Sequence, residues 1–189
     1  MHGQQRQRVV STVIAMVLWL LFAGILASAS KHEGYSPETK QSSTQPTSGG
    51  VRPEDITVIL NEHNVYRARE RVPPLKWNAT LARAAQDYAD SRKGDCAQVH
   101  STTPYGENLM QISGTGTWKD TVDIWGDEKK YYHYNSNSCD GGQMCGHYEA
   151  VVWKDTTDVG CGRITCNSGD TMLVCEYWPP GFVDGQRPF

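Results

Sequence analysis

Basic side chains are the first shortage. The 189-residue chain carries 18 Lys and Arg against 21 Asp and Glu, a formal net charge of −3. Removing residues 1–29 would take away Arg6 and Arg8 and no acid, leaving 16 basic against 21 acidic groups, or −5. Such a surface does not attract polyanions, because neutralisation of phosphates by Lys and Arg supplies most non-specific nucleic-acid affinity. Nucleic-acid partners are therefore set aside. Catalytic signatures are missing as well: there is no H-E-x-x-H, no G-x-S-x-G elbow, and no serine with a motif-defined base. The six cysteines all lie after position 95, without paired C-x-x-C units. That argues against a zinc ribbon, and their dispersion argues against a knottin-like scaffold, so disulfides are the better reading. No internal repeat is visible, and after residue 29 no apolar run is long enough to cross a bilayer. The length allows one ordinary domain.

The apolar run that does exist is at the start. Arg6 and Arg8 precede Val13 to Ala27, followed by the small residues Ala27-Ser28-Ala29-Ser30, the layout of a secretory signal peptide over residues 1–29 cut after Ala29. An uncleaved anchor is the alternative, since Val9 to Ala27 approaches the length of a membrane span. The A-x-A ending and the oxidising compartment that disulfides require favour cleavage and an extracellular location, with no stable membrane anchor. Residues 30–50 contain almost no apolar side chains and cannot offset the entropy cost of ordering, so they read as a flexible Ser/Thr/Pro-rich linker to a domain over residues 51–189.

Within that domain Pro53 suits a first helical position, and Glu54 and Asp55 favour the positive end of the helix dipole. Ile56, Ile59, Leu60, His63 and Tyr66–Arg67 then form one stripe that stops before Pro73-Pro74. His63 falls on or beside it, where a core or capping histidine is a better reading than a metal ligand. Asn78 caps a second helix through Leu81, Ala82, Ala84, Ala85, Tyr88 and Ala89, ending near Gly94. Asn78-Ala79-Thr80 is also a glycosylation sequon. Trp118, Val122, Trp125 and Tyr132 predict a third helix from Thr117 to about Tyr132 with an aromatic face. Val159 to Cys166 and Thr171 to Trp178 read as two strands joined by the turn Asn167-Ser168-Gly169-Asp170. Helices first and strands afterwards indicate α+β.

Gly146-His147-Tyr148-Glu149-Ala150-Val151-Val152-Trp153-Lys154-Asp155-Thr156 resembles the first signature of the CAP superfamily. Leu173 to Gly181 resembles its carboxy-terminal signature, and Gly106-Glu107-Asn108-Leu109 its internal G-E-N-L motif. With His63 to Arg67, Pro74 to Trp77 and Cys96 to Ser101, the resemblance extends over about residues 53–189. The ending Gly185 to Phe189 is similar to the plant class-one pathogenesis-related branch. The resemblance implies a disulfide-stapled three-layer α-β-α sandwich with a central antiparallel sheet. It also implies the bridges Cys96–Cys166, Cys139–Cys145 and Cys161–Cys175, one of fifteen pairings that six cysteines permit.

By the same resemblance, His100, Glu107, Glu128 and His147 are expected to form a tetrad. The two imidazoles would be ligands to zinc, a cofactor that is not obligatory, with the carboxylates orienting them. A buried His–Glu cluster that only satisfies its own hydrogen bonds is the structural alternative. Glu149 stands where the family generally has a small Thr or Ser, and Glu176 where asparagine is common. The expected function is secreted plant defence by a monomer binding a sterol or fatty acid; a zinc-dependent hydrolase is the alternative. Trp118, Ile124, Trp125, Tyr131, Tyr132 and Tyr134 are candidates to line an apolar groove, against the plainer reading of a core face. The segment Pro179 to Phe189 corresponds to a releasable signalling peptide in the plant branch.

Overall fold

A computed structural model describes residues 50–183 and 185–189. The expected signal peptide of residues 1–29, and all of the expected linker of residues 30–50 except Gly50, lie outside the described residues. Among the described residues no helix is long and apolar enough to cross a membrane.

Helix α1 spans Pro53–Arg69. Its first turn is closed by Asp55, which accepts from the Arg52 backbone N–H at 3.1 Å and pairs with the Arg52 guanidinium at 3.0 Å. Ile59, His63, Tyr66 and Arg67 are buried, whereas Ile56 and Leu60 reach only intermediate burial. Arg67 is tolerated inside because its guanidinium donates to four carbonyls, those of Pro73, Val151, Trp153 and Thr156, at 2.6–3.0 Å. Burial lowers it to about 10, so it keeps its charge at neutral pH. Strand β1, Lys76–Trp77, leads into α2, Ala79–Ser91, whose cap Asn78 accepts from the Thr80 and Leu81 N–H groups. The Asn78 amide nitrogen also reaches Asp158 at 3.4 Å, so the side chain of the sequon is engaged at both ends.

Strand β2, Gly106–Ile112, precedes α3, Trp118–Asp127, which Thr117 caps. The third helix is shorter than its spacing suggests: at Glu128 the chain tightens into a 3-10 turn, Glu128–Tyr131. The short strands β3, Tyr132–His133, and β4, Ser138–Cys139, pair, and α4, Gly146–Val151, follows. The predicted hairpin forms from β5, Asp158–Thr165, and β6, Thr171–Trp178.

The main sheet runs β1-β5-β6-β2. It is antiparallel apart from two-residue β1, which lies parallel to β5. The fold is an α-β-α sandwich in the α+β class. Alternation along the strands separates two cores. Val159, Cys161, Leu173, Cys175 and Tyr177 face the layer of α1, α3 and α4. Ile164, Met172 and Val174 face α2, with Leu109 of β2. Gly160 and Gly162 let α2 lie directly on β5, since a Cβ at either would sit 2.1 Å from Ala82 N or 2.4 Å from Gln86 N.

The bridges are Cys96–Cys166, Cys139–Cys145 and Cys161–Cys175, and no cysteine is free. Cys161 and Cys175 are opposite one another on β5 and β6, so that bridge pins the register. Cys96–Cys166, separated by 70 residues, stabilises by about 4 kcal/mol in the chain-entropy model.

Gly160→Ala should lower stability by about 3 kcal/mol, because the added methyl meets helix backbone that cannot swing aside. Urea titration checks this: an unchanged midpoint would show that α2 has room to move.

Candidate functional site

A cleft of about 580 Å³ opens where the start of β2, the N-terminal end of α4 and the segment after β6 come together. His100, Glu107, His147 and Glu149 line it, so three of the four tetrad residues reach its surface. Glu128 stands behind His147.

The two histidines are held alike. His100 Nδ1 donates to Glu107 Oε1 at 2.6 Å, and that oxygen also accepts from the Ser101 N–H at 3.0 Å. His147 Nδ1 donates to Glu128 Oε1 at 2.7 Å, while Glu128 Oε2 accepts from the backbone N–H groups of His147 and Tyr148. Glu128 thus closes the start of α4 and sets the ring of its second residue. In both pairs the carboxylate fixes Nδ1 as the protonated nitrogen and leaves Nε2 as the lone-pair donor.

The pairs differ in exposure, with the His100 side chain 67% accessible and that of His147 19%. The tetrad is not drawn to ligand distance. Among the described residues, the group of three donor atoms mutually within 4.8 Å is Cys139, Cys145 and Glu149, and its two sulfurs are spent in a disulfide.

A buried chain of hydrogen bonds lies under the cleft. His63 Nδ1 donates to the Ile59 carbonyl at 2.8 Å, and Nε2 accepts from the Tyr177 hydroxyl at 2.9 Å. Asn108 donates to that hydroxyl at 3.2 Å and to the His147 carbonyl at 3.0 Å. Burial pushes the His63 imidazole down to about 4, with the Arg67 charge adding to the effect, so this histidine is neutral at pH 7. It is a core histidine, not a ligand.

The proposed aromatic groove requires correction. Trp118 and Trp125 are buried in the core, 2% and 0% exposed, because the helical period of α3 turns them with Val122 toward α1 and the sheet. Trp125 instead backs the site, stacked at 20° and 6.0 Å from His147. Tyr131 and Tyr132 are half-buried, Ile124 and Tyr134 are exposed, and none of these lines the cleft. Tyr132, Tyr134 and Tyr148 surround Phe189. The C-terminal segment is held further by Thr156 Oγ1 donating to the Pro179 carbonyl and by Lys154 N–H donating to that of Pro188.

The profile of the cysteine-rich secretory protein family, CAP, matches residues 60–177. The chain belongs to this family. It is 48% identical over 134 residues to the basic form of pathogenesis-related protein 1 of Nicotiana tabacum, covering 69% of this chain and 73% of that protein. Pathogenesis-related protein 1A1 of Solanum lycopersicum is 47% identical over 131 residues, covering 67% and 73%. Venom allergen-like protein 4 of Schistosoma mansoni superposes with a TM-score of 0.59 at 27% identity, over 73% of this chain and 95% of that one.

Two glutamates distinguish this CAP domain from the pattern it resembles. Glu149 lines the cleft from α4. Glu176 is fully buried and opposite Glu107 across β2 and β6. Its Oε1 accepts from Thr103 Oγ1 at 3.2 Å, and its acid proton is directed to the Glu107 carboxylate. Burial, and then the neighbouring Glu107, push Glu176 up to about 8. No motif announced this residue as functional; its signal is its register opposite Glu107.

The two shifts act in opposite directions on stability. From about pH 4.5 to 8 the folded chain keeps the Glu176 proton that the unfolded chain releases, so this residue costs stability as pH rises. His63 costs stability as pH falls from 6.5 to about 4, where only the unfolded chain takes up the proton. Glu176→Gln should therefore gain on wild type between pH 5 and 8, by on the order of 4 kcal/mol. Denaturant curves at both pH values test it, and a constant difference would rule out a neutral Glu176.

Proposed function

We propose that this CAP protein is a secreted, extracellular defence protein of the plant pathogenesis-related type that acts by binding a sterol or similar neutral lipid in the cleft. The defence reading follows its relatives, and the extracellular one its leader sequence and three disulfides. The observation that carries the binding reading is the lining. Tyr105, Met144, Pro180 and Phe182 give the cleft an apolar wall facing polar groups, the composition of a small-molecule site. The hydrocarbon body is assigned to this wall and not to Trp118 and Trp125. Neutral ligands are favoured over fatty acids because, among the described residues, no Lys or Arg lines the cleft to receive a carboxylate. Saturable sterol uptake should weaken about tenfold in Phe182→Ala, which removes an exposed ring from the rim. Absence of saturable uptake by the wild type would end the sterol reading.

A metal reading is favoured by one observation, the commitment of both Nδ1 atoms to carboxylates. The donor types, though not their present spacing, suit zinc: His100 and His147 would hold it through Nε2 once drawn together, with Glu107 and Glu128 orienting the rings. Bound zinc supplies Lewis acidity and an activated water. The hydrolase alternative finds no thiol nucleophile, because all six cysteines are bonded. Glu128→Gln should lower zinc affinity about 10–100-fold by calorimetry, the range for partners that orient a ligating histidine. Equal affinities in variant and wild type would refute the orienting role.

A further inference from the structure

We propose that the cleft selects ligands bearing an organic cation, an ammonium or guanidinium group, on an apolar body, and that Glu149 receives the cation. This rests on the reading of the cleft as a small-molecule site. Glu149 lies in α4, two residues beyond His147, and lines the cleft. Among the described residues its carboxylate has no N–H or O–H donor. The nearest polar contact to Oε1 is Cys145 Sγ at 3.2 Å, and a disulfide sulfur has no hydrogen to give. A half-buried carboxylate without donors is poorly compensated.

A second carboxyl group lines the same cleft from a different element. The Glu107 side chain is only 5% exposed; its Oε1 holds His100, and its carboxylate also faces the acid proton of Glu176 across the sheet. Both histidines have already given Nδ1 to carboxylates, and among the described residues no Lys or Arg lines the cavity. The missing element is a cation.

The walls state what should accompany it. Met144 and Phe182 are 66% and 51% exposed at the cleft, large apolar side chains left in water by the fold. Tyr105 lines the cleft with its ring edge-on to exposed Trp178 at 6.0 Å. Such surfaces gain by covering an apolar skeleton, and aromatic faces also attract ammonium and guanidinium groups. A carboxylate or phosphate headgroup would instead meet like charge. The physical class is an amphipathic amine or guanidine; a neutral sterol satisfies the walls and leaves Glu149 unpaired.

The test uses three probes with one sterol skeleton, carrying at the same carbon an ammonium, a hydroxyl or a hemisuccinate carboxylate. Affinities for the full mature chain are measured by calorimetry at neutral pH. The ammonium probe should bind about tenfold tighter than the hydroxyl probe, the scale of a hydrogen bond to a charged group, and the carboxylate weakest. Glu149→Gln should abolish the preference without weakening the hydroxyl probe, and Glu149→Lys should invert it toward the carboxylate. Melting curves confirm that both variants are folded. Equal binding of ammonium and hydroxyl probes would overturn this inference and leave the sterol reading standing. Failure of all three to bind would overturn both.

Discussion

The buried hydroxyl of Tyr177 is the point on which the site depends. It donates to His63 of α1, accepts from Asn108 of β2, and is itself part of β6; Asn108 also holds the backbone carbonyl of His147 in α4. Four elements distant in sequence are thereby tied through groups that are 0–1% exposed. A missing member would strand its partner in a dry interior, a penalty of roughly 1–3 kcal/mol for a single unsatisfied group. The chain works only with a neutral imidazole and a protonated phenol. Burial enforces both states, lowering His63 and raising Tyr177.

Above this support, four carboxyl groups are used in three ways. Glu107 and Glu128 each orient an imidazole. Glu176, a strand away from Glu107 and cut off from water, keeps its proton near neutrality. Glu149 faces the cavity with no donor of its own. The residue type is the same in every case; depth and neighbours decide whether it positions, stays neutral or waits for a ligand. Of the two glutamates outside the expected tetrad, Glu149 adds a carboxyl group to the cleft lining, while Glu176 is buried beneath it.

The disulfides and the glycines beneath α2 do complementary work. Cys161–Cys175 prevents β5 and β6 from slipping by the single residue that would reverse every side chain on the sheet. Gly160 and Gly162 then allow α2 to approach the opposite face within backbone contact. The strand order that results sets β2 beside β6, and with it Glu107 beside Glu176. The Glu107–Glu176 pair beneath the cleft is in this sense a consequence of sheet register.

Local chemistry made much of the fold legible. Pro53, Asn78 and Thr117 mark helix starts because capping depends on a few adjacent residues, and the β5–β6 hairpin is announced by its polar turn. The motif blocks likewise pointed to His100, Glu107, Glu128 and His147. Strand β2 was hidden because its first residues, Gly106-Glu107-Asn108, are poor strand formers and burial on both faces removes the polar alternation. The choice of Nδ1 or Nε2, the proton on Glu176 and the donorless carboxylate of Glu149 belong to tertiary structure alone. Each depends on atoms brought from distant parts of the chain, and no local pattern records who those neighbours will be.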